Sequence, residues 1–140
     1  MDDRTTARAG NGYRFIDTTV RYEKAGGIVC GKAFRGDEAY FMGHFPGHPI
    51  VPGVCEIEML FQAAARFLVM EGAVKTGESS RLAAISSARF TNPIVPPRDV
   101  LAAVSLKERR GPVWLFSGRV SDGPDTFVQA SFSVTVVQEL

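Results

Sequence analysis

Hydrophobic residues dominate the segment from Val54 to Met70, where they occupy nearly every side of a helical wheel. A helix that is apolar nearly all round is buried in the centre of a domain. Pro52 is tolerated at the start of a helix but would break one further along. The pattern therefore predicts one long buried helix that starts at Gly53 or Val54 and ends between Met70 and Gly72.

Strand-like patterns fill the rest of the chain, with two segments before the helix and four after it. In the last segment, residues 128, 130, 132, 134 and 136 are apolar or small, and the residues between them are mainly polar. This alternation predicts that one face of the sheet is buried and the other faces solvent. Turn residues such as the Gly26–Gly27 pair separate the segments. The predicted strands cover residues 13–23, 28–34, 81–90, 100–109, 113–120 and 126–137.

The order of these elements indicates the architecture. A single helix with apolar residues on all sides is most simply buried by an antiparallel sheet that curls around it. We therefore expect an α+β fold with an antiparallel β-sheet wrapped around one long central helix. Residues 1–12 are small and polar and predict a flexible N-terminal tail, and residues 13–140 predict a single domain.

Charge and composition narrow the class of protein. The 16 basic residues nearly balance the 15 acidic ones, and without a basic face this disfavours nucleic-acid binding. No apolar run reaches the ~18 residues of a membrane span, and the acidic N-terminus lacks the apolar core of a secretory signal. Cys30 and Cys55 form no CxxC pattern and predict buried thiols in a reducing compartment. We expect a cytoplasmic protein without a metal site.

Both histidines lie in the loop GHFPGHPIVPGV, residues 43–54. Its three prolines fix the backbone and its glycines allow tight turns, so the loop can hold a side chain in place. An imidazole held near its ordinary pKa suits general acid–base chemistry. From the loop alone, His44 is equally well explained as a structural residue that hydrogen-bonds loop carbonyls.

Two carboxylates follow at the helix start. Glu56 and Glu58 point about 200° apart on a helix, so they have different surroundings. With Gly53 as the N-cap, Glu56 falls at the third helical position, where an acid stabilises the exposed amides. Glu58 lies deeper, four residues before Gln62. A carboxyl there is costly unless it is paired or functional, and burial raises its pKa as a proton donor requires. A purely structural Glu58, held by hydrogen bonds, remains the alternative.

The helix start itself offers a third chemical element. The free amides of Gly53 and Val54 form a site for developing negative charge, such as that on a thioester oxygen. Together, an imidazole, a carboxyl and an oxyanion site are the parts needed to remove a proton next to a carbonyl and to expel a β-hydroxyl as water.

The stretch FMGHFPGHPIVPGVCEIEMLFQ resembles the signature of the β-hydroxyacyl-acyl-carrier-protein dehydratases, which have the hot-dog fold. That family has a His-Phe-Pro-Gly loop, a Pro-Gly-Val helix start, an acid fourteen positions after the histidine and a glutamine four further on. Here these positions are His44, Gly53, Glu58 and Gln62. The glutamate is similar to the dehydratase-only branch, since the dehydratase–isomerase branch usually has aspartate.

A weaker resemblance covers residues 28–136, including SSARFTNPIVPPRDVL after the helix. Upstream, the typical opening motif of the family is missing, and Phe15, Ile16 and Asp17 stand in its place. These departures concern the acyl chain and the pathway, and they are compatible with an accessory dehydratase of polyketide-like or aryl-polyene synthesis.

The resemblance implies a role for each matched residue. His44 would take the proton from the substrate α-carbon, Glu58 would protonate the leaving β-hydroxyl, and the amide of Gly53 would bind the thioester oxygen. The carbonyl of Ile50 would orient the imidazole, and Gln62 would support Glu58. His48 falls at a variable position and is expected to be a loop or rim residue.

The resemblance also implies partners. Acyl-carrier protein would carry the thioester substrate, and each site would take its histidine and its acid from two subunits of a homodimer, possibly in a trimer of dimers. No cofactor is implied. Two alternatives remain open at this point. One is a hot-dog thioesterase in which Glu58 activates water, and the other is a non-catalytic acyl-binding subunit that pairs with an active partner.

Overall fold

The computed structural model describes residues 14–38, 47 and 49–139. The predicted tail and both histidines, His44 and His48, lie outside these ranges, so what was predicted for them stays a prediction. The described elements run in the predicted order: β1 (Thr18–Glu23), β2 (Gly27–Phe34), α1 (Gly53–Met70), β3 (Glu78–Phe90), β4 (Arg98–Arg110), β5 (Val113–Asp122) and β6 (Asp125–Gln138).

All six strands form one sheet in the order β1-β2-β4-β5-β6-β3. Every neighbouring pair is antiparallel. Helix α1 follows β2 near one side of the sheet, and the chain then enters β3 at the opposite edge. The helix packs against β2, β4, β5, β6 and β3. The predicted antiparallel sheet around one central helix is therefore confirmed.

The core lies between α1 and the sheet, and one contact shows how closely they approach. The side chain of Leu60 is fully buried, and a Cβ atom added to Gly118 of β5 would lie 2.9 Å from its Cδ2 atom. Beside this contact, the ring of Phe67 meets Phe116 edge-on at 5.9 Å, and Phe116 stacks on Phe132 at 5.7 Å. A glycine in the sheet thus makes room for a leucine of the helix.

Two strands differ in how well they are covered. In β6 the predicted alternation is confirmed, since Phe132 and Val134 are buried whereas Gln129 between the buried positions is exposed. By contrast, β3 is an edge strand, and its apolar residues Ile85 and Phe90 are 45% and 51% exposed. One long strand thus leaves an edge and apolar side chains uncovered.

The predicted start of the first strand is wrong. The strand ladder begins at Thr18, and residues 14–17 form no strand, because the main chain at Phe15 turns to the helix. The amide of Phe15 donates to the side chain of Gln62 on the helix. Within the described residues, no helix is long and apolar enough to cross a membrane.

Candidate active site

The first turn of α1 leaves two main-chain amides available. Pro52 is the N-cap, with extended backbone and no side-chain cap. Its carbonyl accepts hydrogen bonds from the amides of Cys55 at 2.9 Å and Glu56 at 3.4 Å. The amides of Gly53 and Val54 donate to no backbone carbonyl of the described residues, as expected at a helix start. The side chain of Val54 is 77% exposed, so the first turn of α1 lies at the surface of the described residues.

The end of β3 lies against the same turn. A Cβ atom added to Gly53 would come within 3.0 Å of Cε1 and 3.3 Å of Cζ of Phe90. The Phe90 ring, half-exposed, therefore covers one side of the helix start. The glycine that the sequence analysis assigned to oxygen binding thus also allows this ring to approach the amides.

The capping role predicted for Glu56 is wrong. With Pro52 as the N-cap, Glu56 lies one position beyond the third helical residue, and the helix has no side-chain cap. Its side chain is only 3% exposed, and Oε1 has no hydrogen-bond partner among the described residues. Burial raises the pKa of this carboxyl to about 8. Glu56 therefore turns inward as a neutral carboxylic acid at pH 7.

Glu58 is held differently. It is half-buried, and Gln62 donates a hydrogen bond of 3.1 Å from Nε2 to its Oε2 atom. Burial raises the pKa of Glu58, the hydrogen bond from Gln62 lowers it, and burial is the larger effect. No described residue donates to Oε1. Within the described residues, a hydrogen bond thus holds one oxygen of the carboxyl and not the other.

The amide of Gln62 has a second contact that the sequence analysis missed. Its Oε1 atom accepts a hydrogen bond of 2.9 Å from the main-chain N–H of Phe15. The two residues are 47 positions apart, and a main-chain donor leaves no trace in residue type. No pattern in the sequence could have indicated this contact.

Cys55 directly precedes Glu56 and lies three residues before Glu58. Both cysteines are free and buried, as predicted. Burial, with smaller contributions from Glu56 and Glu58, raises the pKa of the Cys55 thiol to about 11. Because only the thiolate is an effective nucleophile, a covalent role for Cys55 is disfavoured.

The loop before the helix is tied to the connector that follows β3. The amide of Val51 donates a hydrogen bond of 3.0 Å to the carbonyl of Ile94. Ile50, whose carbonyl was predicted to orient His44, is half-buried beside this bond. That role stays a prediction, since His44 lies outside the described residues.

One cavity among the described residues lies elsewhere. It measures about 630 Å³ and lies on the sheet face opposite α1, between Arg89 and Arg119. Its lining contains serines and alanines but neither carboxyls nor thiols. We therefore place the candidate site at the helix start, where the titratable groups and free amides come together.

Comparison with known proteins identifies the family of the chain. Residues 21–129 match the protein-family model described as ApeI-like, ApeI dehydratase. The 3-hydroxyacyl-[acyl-carrier-protein] dehydratase FabZ of Verminephrobacter eiseniae is 32% identical over 127 residues, which cover 89% of this chain and 84% of that protein. The corresponding FabZ of Acidiphilium cryptum is 37% identical over 130 residues, covering 91% and 78%.

The chain belongs to the ApeI-like dehydratase family.

Solved structures show that this family member has the hot-dog fold. The dehydratase heterocomplex ApeI:P from Xenorhabdus doucetiae matches with a TM-score of 0.65 at 20% identity, over 84% of this chain and 96% of that one. A thioesterase, HI1161 from Haemophilus influenzae, matches with a TM-score of 0.67 at 12% identity, over 98% and 86%. Because dehydratases and thioesterases match equally well, the fold alone does not separate the two activities.

Proposed function

We propose that this member of the dehydratase family converts 3-hydroxyacyl thioesters on acyl-carrier protein into trans-2-enoyl thioesters, in fatty acid or polyketide-like synthesis. The observation that carries the proposal is the arrangement of Glu58. Its pKa is raised by burial, one oxygen is held by Gln62, and it lies on the same helix start as the open amides of Gly53 and Val54. The FabZ relatives carry the same activity in their names.

The proposed reaction needs a base, an acid and an oxyanion site. His44 removes the proton from the α-carbon, and the negative charge that develops on the thioester oxygen is stabilised by the amides of Gly53 and Val54. Glu58 gives its proton to the β-hydroxyl as the C–O bond breaks, so water leaves. The proton taken up by His44 then returns to Glu58, and the enzyme is reset.

A protonated carboxyl suits this role better than that of a water-activating base. A thioesterase would need Glu58 ionised, whereas burial favours its neutral form. The thioesterase alternative is therefore less well supported, although the fold would allow it. The carboxylate formed after proton transfer accepts the hydrogen bond from Gln62, which stabilises it during the reaction.

We also propose a homodimer formed through β3. This strand of 13 residues pairs with β6 on one side and with no described strand on the other. Long bare edges tend to be covered by another strand, and Ile85 and Phe90 add exposed apolar surface. Because Phe90 touches the helix start at Gly53, pairing of two β3 strands brings the partner close to the site. His44 and Glu58 of one site would then come from two subunits.

Two finer features, a larger assembly and a cytoplasmic location, are also part of the proposal. The family resemblance supports a trimer of such dimers as the larger assembly. A cytoplasmic location is supported by the two free cysteines, Cys30 and Cys55, since cytosolic thiols stay reduced. The alternative to the proposed enzyme is a non-catalytic acyl-binding subunit. Activity would then appear only in a complex with a second, active protein.

Product analysis tests the proposed function. Purified protein is mixed with 3-hydroxyacyl-acyl-carrier protein, and two signals are followed together: absorbance of the 2-enoyl thioester and release of free thiol. We expect enoyl thioester without thiol release. Thiol release would favour a thioesterase, and equal rates for wild type and His44→Ala would refute the assignment. Activity only after addition of a second subunit would favour the non-catalytic alternative.

A further inference from the structure

Each end of the Gln62 side-chain amide has its own partner. Oε1 accepts from the main-chain N–H of Phe15 at 2.9 Å, and Nε2 donates to Glu58 Oε2 at 3.1 Å. A main-chain N–H can only donate, so the end that faces Phe15 must be the oxygen. The orientation of the amide is thus fixed by hydrogen-bond chemistry.

We propose that the main-chain N–H of Phe15 is a positioning group for the reaction, because it locks Gln62 with its NH₂ group toward Glu58. This inference rests on the proposed function, in which Glu58 donates a proton. Without the lock, the amide can turn over and present Oε1 to the carboxyl. That oxygen accepts a hydrogen bond only from the protonated acid.

The two orientations have opposite effects on catalysis. In the locked orientation, the NH₂ group stabilises the carboxylate that forms as Glu58 releases its proton. In the turned orientation, Oε1 stabilises the protonated acid before the reaction and raises the pKa of Glu58 further. Only interactions that strengthen toward the transition state accelerate a reaction, so the locked orientation is the productive one.

The segment that carries Phe15 is anchored on the sheet and on the helix. The side chains of Phe15 and Ile16 are 2% and 1% exposed. Asp17 donates from its main chain to the Gly31 carbonyl at 2.7 Å, and its Oδ2 atom accepts from the Ala33 amide at 2.8 Å. Residues 14–17 are therefore held against β2 while Phe15 reaches the helix.

Further contacts fix the same alignment along the helix. Arg66, one turn after Gln62, donates from Nη1 to Thr19 Oγ1 at 2.7 Å. Another turn on, the Tyr22 hydroxyl donates to the carboxylate of Glu71. The chain from Phe15 to Tyr22 thus follows the helix with a hydrogen bond at each turn, and the contact at Thr19 supplies a control remote from Glu58.

Among the described residues, Gln62 has the main polar effect on the pKa of Glu58. The nearest titratable groups on the helix are Cys55 and Glu56, and Arg66 lies two turns away. On the facing elements, Asp17 is paired with Lys32 at 3.4 Å. Among the described residues, Gln62 alone donates a hydrogen bond to Glu58. A change in the Glu58 pKa on altering residue 15 would therefore report on the amide.

Kinetics test the lock with a set of matched variants. Phe15→Pro removes the N–H, Phe15→Leu keeps it, and Thr19→Val removes a contact on the same segment. We expect Phe15→Pro to lower kcat roughly tenfold, the equivalent of about one hydrogen bond, with KM little changed. The basic limb of its pH–rate profile should move to higher pH, whereas the basic limbs of Phe15→Leu and Thr19→Val, which keep the Phe15 N–H, should stay in place.

Introducing Phe15→Pro into a Gln62→Leu variant shows whether Phe15 acts through Gln62. If it does, Phe15→Pro has no further effect once the amide is gone. An equal loss in both backgrounds would overturn the proposal, because Phe15 would then act through general structure.

Nuclear magnetic resonance gives a readout independent of activity and of Phe15→Pro folding. In ¹⁵N-labelled wild type, the Phe15 N–H and Gln62 NH₂ signals should titrate with one shared pKa, and in Gln62→Leu the Phe15 signal should no longer follow it. A Phe15 signal insensitive to that titration in wild type would refute the lock. If the titration is shared but the protein does not dehydrate hydroxyacyl thioesters, the proposed function fails and the lock stands.

Discussion

Gln62 donates a hydrogen bond of 3.1 Å from Nε2 to Oε2 of Glu58, one helical turn earlier. This bond opposes the effect of burial, which is the larger of the two and raises the pKa of Glu58. It also occupies one carboxyl oxygen, and in the proposed reaction the other one faces the substrate. The half-buried acid and its supporting amide thus lie on one face of the helix.

The pH dependence of the rate should be bell-shaped. The acidic limb belongs to His44, which must be neutral to take a proton, and the basic limb belongs to Glu58, which must be protonated. Because burial raises the pKa of Glu58, its limb lies above the ordinary range of a glutamate. Replacing Gln62 with leucine removes the bond that lowers this pKa, so the basic limb should move to higher pH. A flat profile of kcat/KM from about pH 5 to 9 would contradict the pairing.

The stability of the fold should depend on the ionisation of Glu56. Its pKa is raised to about 8 in the folded protein, above that in the unfolded chain, so the folded state binds the proton more tightly. The free energy of unfolding therefore falls as pH rises from about 4.5 toward about 8, by at most about 1.4 kcal/mol per pH unit.

Glu56→Gln should reduce this slope and stabilise the protein at pH 8, because no charge then forms in the core. Urea unfolding at pH 5, 6.5 and 8 measures the effect. Equal slopes for wild type and variant would show that the carboxyl is not desolvated as described. Glu58 contributes in the same direction, so some slope remains in the variant.

The contact between Leu60 and Gly118 should set how closely the helix approaches the sheet. Gly118→Ala places a methyl group 2.9 Å from Leu60 Cδ2, and we expect a loss of about 1–3 kcal/mol from overpacking. Leu60→Ala should cost about 2–5 kcal/mol by leaving a cavity. In the double variant the added methyl partly fills that cavity, so the two losses should sum to more than the measured one. Strict additivity in chemical denaturation would contradict the contact.

The β3 edge should control assembly. A lysine at Ile85 puts a charge on the proposed pairing edge, and sedimentation velocity should show a shift from dimer to monomer with loss of activity. Val20→Lys is the matched control, because Val20 is 57% exposed on β1 at the other edge of the sheet. A dimer that survives Ile85→Lys but dissociates with Val20→Lys would move the interface to β1.

Local patterns predicted the helix and the strands well because their periodicities are properties of neighbouring residues. The start of α1 at Gly53 and the contact of Gln62 with Glu58 follow from a proline boundary and a spacing of four. The strand order does not, since the entry of β3 at the far edge depends on how the helix crosses the sheet.

The errors have physical causes as well. Glu56 was assigned to a cap because a local rule ignores which face of the helix meets the sheet. The angle of about 200° places Glu56 and Glu58 on different faces of the helix. In the structure, it is the side chain of Glu56 that is fully buried. Phe15 was missed because its contribution is a main-chain N–H that any residue except proline possesses.

The most direct test of the account compares two variants of equal chemistry, Glu58→Gln and Glu56→Gln, on 3-hydroxyacyl-acyl-carrier protein. Each replaces a carboxyl by an amide of nearly the same shape, and the two positions are two residues apart. We predict that Glu58→Gln lowers kcat/KM for enoyl thioester formation roughly 100- to 10,000-fold, whereas Glu56→Gln changes it by less than about tenfold at pH 7. Comparable losses in both variants, or a Glu58→Gln enzyme as active as wild type, would contradict the assignment of Glu58 as the proton donor.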